Sequence, residues 1–142
     1  MCIRDRYTLA VIKETLRIFP VVSSPRGGLE DFVLNDSNGQ RFPTANCLVW
    51  AVHHGVHNSP LWWPRVGEFL PDRFLPDRPE ELRPLKNAWR PFEIGPRACI
   101  GTELAMTELK IVLALTVRDF DLREAFTAVS YTHLTLPTIL RV

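Results

Sequence analysis

The strongest constraint on the fold is the ten-residue segment from Phe92 to Gly101, FEIGPRACIG, which a long apolar run follows at once. The apolar run predicts a helix, so Cys99 lies where that helix would begin. Unpaired backbone N–H groups and the helix dipole favour negative charge at a helix N-terminus, which lowers the pKa of a thiol held there. A thiolate is a soft, electron-rich ligand for iron. The segment therefore predicts a thiol of lowered pKa in a loop that leads into a helix.

Two glycines and an arginine in the same segment suit a flat, charged ligand. Gly95 and Gly101 leave no side chain where a bulky ligand would approach the backbone. Arg97 lies two residues before the cysteine, and its guanidinium can pair with an anionic group on that ligand. The alternative interpretation is a buried structural cysteine in a loop of glycine and proline.

The order Phe-x-x-Gly-x-Arg-x-Cys-x-Gly resembles the heme-binding signature of the cytochrome P-450 family. The matching residues are Phe92, Gly95, Arg97, Cys99 and Gly101. The resemblance implies that they hold heme b (iron protoporphyrin IX), with the Cys99 thiolate as the axial ligand of the iron. It also implies that Arg97 pairs with a heme propionate.

Two further stretches resemble motifs of the same family and occur in the family's order. The stretch ETLR, which begins at Glu14, resembles its Glu-x-x-Arg helix, and PDRF resembles its Pro-x-Arg-Phe segment. The resemblance implies that Glu14, Arg17 and Arg73 form a buried structural triad that holds the cysteine loop against the core. Without the resemblance, Glu14 and Arg17 also fit an exposed ion pair on a helix. Arg26 is a second propionate candidate by resemblance, and otherwise a surface arginine.

The composition is that of one globular domain and does not point to a nucleic-acid partner. The 142 residues are 46% hydrophobic and 23% charged, with a net charge of +1. Three cysteines at irregular spacings argue against a disulfide framework. No apolar run reaches the roughly 18 residues of a membrane span, and the polar start lacks the apolar centre of a signal peptide.

Hydrophobic periodicity and proline placement predict helices near the two ends and an irregular centre. The predicted elements are a helix over 9–19, a hairpin over 31–43, a third strand over 47–52 that joins it in a small sheet, and a buried apolar helix over 100–118. The proline- and tryptophan-rich segment 61–91 is expected to be irregular but packed. The predicted fold class is mainly α with a small β-sheet (α+β), which the resemblance makes the incomplete C-terminal part of the cytochrome P-450 fold.

The resemblance covers residues 9–126 as a C-terminal heme-binding portion. Residues 1–6 and about 128–142 fit nothing around them, and we interpret them as non-native ends, with frayed termini as the alternative. His53, His54 and His57 are interpreted as packing or capping groups, because no suitably placed carboxylate or thiolate completes a metal shell around them.

The resemblance implies that the parent protein is a heme-thiolate monooxygenase that inserts one oxygen atom of O₂ into a small lipophilic substrate. Its electrons would come from an NADPH-dependent reductase or another electron donor, and an anchor N-terminal to this sequence would hold it on the cytosolic face of the endoplasmic reticulum membrane. The family's oxygen-activating acid–alcohol pair has no counterpart here, so no catalytic residue is assigned and the isolated chain is expected to be inactive. The alternatives are a heme-thiolate sensor or carrier and a heme-free structural module.

Overall fold

The computed structural model describes residues 3–123 and 138–141, which belong to two compact units, Met1–Thr102 and Glu103–Val142. The described part of the first unit contains helices α1 (Ile3–Ile18) and α2 (His53–His57), strands β1 (Ser24–Gly27), β2 (Val33–Asn35), β3 (Arg41–Pro43) and β4 (Leu48–Ala51), and the 3-10 helices Pro71–Phe74, Glu80–Leu82 and Gly95–Arg97. Helix α3 (Thr102–Asp119) starts at the last residue of the first unit, and β5 (Phe120–Arg123) and β6 (Thr138–Arg141) follow in the second. Helices with small antiparallel sheets confirm the predicted α+β class.

Helix α1 is longer than the sequence pattern indicates. It begins at Ile3, earlier than the predicted Leu9, and ends at Ile18. Pro20 follows closely, and a proline disfavours helical backbone at the residue before it. Phe19 lies within the predicted helix over 9–19, but the observed helix ends before it and its side chain is 69% exposed.

Over residues 3–123 and 138–141 the strands form three two-stranded antiparallel sheets, and the predicted single sheet is divided between two of them. Strands β2 and β3 form the predicted hairpin. Strand β4 does not join that hairpin and pairs with β1 instead, with Val49 opposite Arg26. The prediction of one sheet is wrong because strand partners depend on contacts between distant segments. Here the Gly28 N–H donates to the Cys47 carbonyl at 2.9 Å, which continues the pairing of β1 with β4.

The chain between β1 and β2 is fixed by a close contact of Gly28 with Thr44. A Cβ atom on Gly28 would lie 1.7 Å from the Thr44 carbonyl oxygen, so only glycine fits this position. The Thr44 hydroxyl accepts a hydrogen bond from the Leu29 N–H at 3.1 Å and lies 2.8 Å from the Phe32 carbonyl oxygen. These contacts hold the hairpin next to the strand that precedes it.

The segment 61–91 is irregular and packed, which confirms its prediction. Trp63 is fully buried. The rings of Trp63, Phe74, Trp89 and Phe92 follow one another at centroid distances of 6.1, 6.0 and 6.3 Å, in tilted or edge contacts. This row of rings leads from the interior of the first unit to the start of the cysteine loop.

Helix α3 confirms the predicted helix in position but not in burial. Six of its large apolar side chains are exposed, namely Leu104, Leu109, Ile111, Val112, Leu115 and Val117. The prediction of a buried helix is wrong for this chain, because an apolar pattern indicates which faces can be buried and not what covers them. In the part of the chain that the structure describes, no helix is long and apolar enough to cross a membrane.

The two predicted non-native ends are described only in part. Residues 3–6 lie at the start of α1, and residues 138–141 form β6, which pairs with β5. The rest of the predicted non-native tail lies outside the described residues. The assignment of these ends, and the portion 9–126 between them, therefore stays a prediction.

Candidate functional site

A short closed loop from Phe92 to Cys99 presents the cysteine. The Cys99 backbone N–H donates to the Phe92 carbonyl at 2.8 Å and closes the loop. Inside it, Glu93 and Gly95 have φ angles of 60° and 79°. Glycine adopts this left-handed backbone readily, whereas a glutamate needs stabilising contacts to remain in it.

The Cys99 side chain is exposed and lies in the turn that precedes α3. Thr102, the first residue of that helix, donates from its hydroxyl to the Cys99 carbonyl at 2.8 Å. In the same loop Ile94 and Ile100 are exposed, and a Cβ atom at Gly95 would meet no atom within 4 Å. Cys99 is exposed in this chain, whereas the alternative interpretation expects a buried cysteine. The loop offers an accessible thiol together with open apolar surface.

The two arginines predicted to meet heme propionates are both exposed. Arg26 donates to the Pro25 carbonyl at 3.0 Å and also to the Ser24 hydroxyl. Arg97 has no side-chain hydrogen bond or ion pair with any described residue. Neither guanidinium pairs with a carboxylate within residues 3–123, so both charges are accessible to an anionic ligand.

The structure brings Glu14, Arg17 and Arg73 together in the interior of the first unit. Arg17 donates from Nε and Nη2 to the two oxygens of Glu14 at 2.8 and 2.9 Å, a bidentate pair. Arg73 Nε donates to Glu14 Oε1 at 3.2 Å. All three side chains are fully buried. Burial lowers the pKa of Arg73, and the neighbouring Glu14 carboxylate opposes that shift.

Arg17 and Arg73 donate their other hydrogen bonds to backbone carbonyls. The acceptors are the carbonyl oxygens of His57, Pro64, Arg65 and Glu68. These bonds join α1 to α2 and to the segment 64–73. Among the described hydrogen bonds of the triad none reaches residues 92–101, so any hold of the triad on the cysteine loop is indirect.

A second cluster, which no sequence motif marks, contacts the cysteine loop directly. Glu93 Oε1 lies 3.0 Å from His53 Nε2, and Glu93 Oε2 accepts a hydrogen bond from Arg90 Nη2 at 2.7 Å. The other ring nitrogen of His53, Nδ1, lies 2.8 Å from the Val22 carbonyl oxygen. We refer to His53, Arg90 and Glu93 as the Glu93 cluster. The Arg90 backbone N–H donates to His57 Nε2 at 3.0 Å, and the rings of His53 and His57 stack at 6.1 Å.

Burial and these contacts have the net effect of lowering the pKa values of Glu93 and His57. Burial acts to raise the pKa of the Glu93 carboxyl, but hydrogen bonds from Arg90 and His53 outweigh it and lower the pKa. Burial, and then the neighbouring His53, lower the pKa of His57 to about 4. Because His57 Nε2 accepts the Arg90 N–H, the neutral ring carries its proton on Nδ1. That Nδ1 has no hydrogen-bond partner among the described residues.

The three histidines of α2 do not form a metal site with one another. His53 and His57 are buried, which confirms their predicted packing role, whereas His54 is exposed. Over residues 3–123 and 138–141, no group of three or more His, Cys, Asp or Glu side chains is placed to hold a metal ion.

Comparison with known proteins decides the family. The family model described as cytochrome P-450 matches residues 6–132. The chain belongs to the cytochrome P-450 family. This membership confirms the resemblance that the order of the cysteine motif and the two arginine motifs indicates.

Relatives within the family are much longer than this chain. Cytochrome P-450 monooxygenase polC of Polytolypa hystricis is 56% identical over 120 residues, which cover 84% of this chain and 22% of that protein. The ultra-long-chain fatty acid omega-hydroxylase of Homo sapiens is 40% identical over 117 residues, covering 82% of this chain and 21% of that protein. The chain thus spans about a fifth of the length of these curated relatives.

A solved structure from the family supports the predicted fold class. The crystal structure of a mutant heme domain of cytochrome P450DA matches with a TM-score of 0.68 and 25% sequence identity. The match covers 89% of this chain and 27% of that chain. The prediction of a partial cytochrome P-450 fold is confirmed.

Sequence reasoning found the cysteine loop and the triad residues but missed the Glu93 cluster. Glu93 is an acidic residue within an otherwise apolar stretch, and Arg90 lies three positions before it, which is the one local signal of their pairing. His53 lies 40 positions from Glu93 along the chain, so no local pattern joins them.

Proposed function

We propose that the complete protein is a heme-thiolate monooxygenase in which Cys99 is the axial ligand of the heme iron. The observation that carries the proposal is the exposed Cys99 thiol at the end of a closed loop, in a chain of the cytochrome P-450 family. In this proposal the cofactor is heme b, and Phe92, Gly95 and Gly101 lie against it.

The surroundings of Cys99 fit a flat, mostly apolar ligand with anionic groups at its edge. Ile94 and Ile100 expose apolar surface in the same loop, which suits the face of a porphyrin ring. Arg97 and Arg26 have no carboxylate partner among the described residues, so each can pair with a propionate. The donor set also fits, because a thiolate is an established axial ligand of heme iron.

The cofactor supplies the oxygen chemistry when it is bound, since a thiolate ligand pushes electron density that favours O–O cleavage. The residues of this chain bind the cofactor and orient it. In the proposal, Cys99 provides the negatively charged sulfur, and Arg97 and Arg26 neutralise the propionates. Ile94 and Ile100 exclude water next to the ring, which strengthens the electrostatic interactions there. No residue of this chain is assigned a proton-transfer step.

The names of relatives favour a lipophilic substrate. The human relative is named as a fatty acid hydroxylase, and a Sus scrofa relative, 37% identical over 116 residues, is named taurochenodeoxycholic 6 alpha-hydroxylase. For this protein we propose only the class, a small lipophilic molecule. An NADPH-dependent reductase as electron donor and a position at the endoplasmic reticulum membrane are proposed from the family alone.

The test uses the complete gene product loaded with heme and supplied with NADPH and a reductase. Fatty acids and bile acids serve as probe substrates under isotopically labelled dioxygen. The expected result is a hydroxylated product that carries one labelled oxygen atom. A hydroxylated product that carries no labelled oxygen atom, so that its new oxygen comes from water, would contradict a monooxygenase. A heme protein that turns over none of the probes would favour the sensor or carrier.

A further inference from the structure

The Glu93 cluster gives direct side-chain support to the start of the cysteine loop. Glu93 follows Phe92, whose carbonyl accepts the hydrogen bond from the Cys99 N–H that closes the loop. Both carboxylate oxygens of Glu93 are used, one by His53 and one by Arg90, and the side chain is only 11% exposed. The triad, by contrast, makes no described hydrogen bond to residues 92–101.

The cluster acts on a backbone conformation that glutamate does not prefer. Glu93 has a φ angle of 60°, in the left-handed region that is unfavourable for residues with a Cβ atom. Such a conformation persists only where surrounding contacts over-determine it. Hydrogen bonds to both oxygens of the carboxylate provide that constraint, so the turn at the start of the loop depends on them.

His53 connects this turn to two other segments of the first unit. It is the first residue of α2, and its Nδ1 lies against the Val22 carbonyl, just before β1. Each ring nitrogen faces an oxygen atom, so a rotation of the ring would break a contact at both ends. On the other side of the carboxylate, the Arg90 backbone N–H is held by His57. Glu93 is therefore held directly by His53 and Arg90, and through His53 it is linked to the backbone at Val22.

We propose that Glu93 is a positioning residue that sets the location of the Cys99 thiolate through the closed loop between Phe92 and Cys99. The inference rests on the proposed function only in taking heme iron as the partner of that thiolate. When the hydrogen bonds of the Glu93 cluster are weakened, the backbone at Glu93 samples other conformations. The Cys99 sulfur then spends less time in the position from which it binds the iron. Glu93 itself is not a catalytic residue in this proposal.

The test compares Glu93→Gln, His53→Gln and the double variant with wild type, each as the complete gene product. The first readout is the fraction of reduced, carbon monoxide-bound heme with the red-shifted Soret band of thiolate ligation. For Glu93→Gln we expect a roughly tenfold fall in the ratio of thiolate-ligated to unligated heme, the size typical of a lost buried hydrogen bond to a charged group. In the double variant this ratio should fall no further than in Glu93→Gln alone, because His53 acts through Glu93.

The matched control is Glu80→Gln, which removes a carboxylate that is 78% exposed and pairs with Arg83 on the surface. It should keep the wild-type ratio. An unfolding midpoint measured in parallel separates positioning from stability. A Glu93→Gln protein that unfolds more easily but keeps the wild-type ratio would overturn the proposal. If Glu93→Gln does not fold, the same comparison is made with His53→Gln, which leaves the pair of Glu93 with Arg90 intact. A His53→Gln protein that unfolds more easily but keeps the wild-type ratio would then overturn the proposal.

A second readout does not depend on heme. Both Cys99 and Cys47 are exposed free thiols, so their alkylation by iodoacetamide can be followed in the heme-free protein. We expect Glu93→Gln to make Cys99 react several-fold faster while Cys47 stays at its wild-type rate. Unchanged Cys99 kinetics would overturn the inference. A wild-type protein without a thiolate band would instead contradict the proposed function, and the alkylation rates would still decide the role of Glu93.

Discussion

Glu14 holds two buried arginines at once. It accepts hydrogen bonds from Arg17, from Arg73 and from the Leu70 N–H, and all three charged side chains are fully buried. Removing charges from water is costly, and the cost is offset only while every partner is present. The triad is therefore sensitive to the loss of a single member.

We expect Glu14→Gln to lower the free energy of unfolding by about 3–5 kcal/mol, because two buried guanidiniums would lose their counter-charge. The measurement is urea unfolding of the complete gene product, followed by circular dichroism. Glu68→Gln is the matched control, since Glu68 pairs with Arg65 on the surface and its loss should leave the midpoint unchanged. Equal midpoints for Glu14→Gln and wild type would contradict a stabilising triad.

His57 makes the first unit sensitive to mild acid. Its pKa falls from the ordinary 6.5 to about 4, mainly through burial. The folded state keeps the ring neutral, so the unfolded chain binds the proton first as the pH decreases. Stability that is present above about pH 6.5 is therefore lost as the pH falls toward 4. Glu93, whose pKa is lowered from the ordinary 4.5, adds to this loss only in stronger acid.

We expect the free energy of unfolding to fall by about 2 kcal/mol between roughly pH 7 and pH 5 through His57 alone. In His57→Gln, whose amide oxygen can still accept the Arg90 N–H, most of this decrease should be absent. His54→Gln is the control, because that neighbouring histidine is exposed. Urea unfolding at both pH values measures the difference. The same decrease in His57→Gln as in wild type would show that another group titrates.

The secondary structure follows from local patterns, and its pairing follows from distant contacts. The two long helices and the hairpin of β2 with β3 could be predicted, because periodicity and turn residues act within a few positions. The pairing of β4 with β1 could not, because it depends on contacts such as that of Gly28 with Cys47 across the hairpin. Burial of α3 was predicted wrongly for the same reason, since apolar residues do not indicate their partners.

The candidate site likewise contains residues that a local pattern indicates and residues that only contacts between distant segments bring together. Cys99, Arg97 and the triad residues stand in motifs whose order can be recognised in the sequence alone. The Glu93 cluster could not be recognised from the sequence, because His53 lies 40 positions from Glu93 and belongs to another element. The positive φ of Glu93 gave no signal either, since glutamate is not a residue that marks such a turn.

We expect Gly28→Ala to destabilise the protein by about 1–3 kcal/mol, because the new Cβ would collide with the Thr44 carbonyl and push the hairpin away. Gly27→Ala is the matched control at the adjacent position, where a Cβ would meet no atom within 4 Å. Thermal unfolding of both variants measures the difference. Equal melting temperatures for the two variants would contradict the close contact between Gly28 and Thr44.

Large apolar side chains remain exposed in the described parts of both units. They include Val21, Leu48, Trp50 and Leu61, besides the six in α3. The chain covers 22% of the length of the Polytolypa hystricis relative, and a protein of that length has further residues with which to cover such surfaces. We expect the isolated 142-residue chain to give no product when it is supplied with heme, NADPH and a reductase. Turnover by that chain alone would contradict this expectation.

The decisive measurement is the absorption spectrum of the reduced, carbon monoxide-bound complete gene product, compared with Cys99→Ser and Cys47→Ser. Cys47 is the matched control, because it is also an exposed free cysteine. If the Cys99 thiolate binds the heme iron, wild type and Cys47→Ser show the red-shifted Soret band and Cys99→Ser lacks it. An unchanged band in Cys99→Ser, or a wild-type protein that binds no heme, would contradict the assignment of Cys99 as the iron ligand.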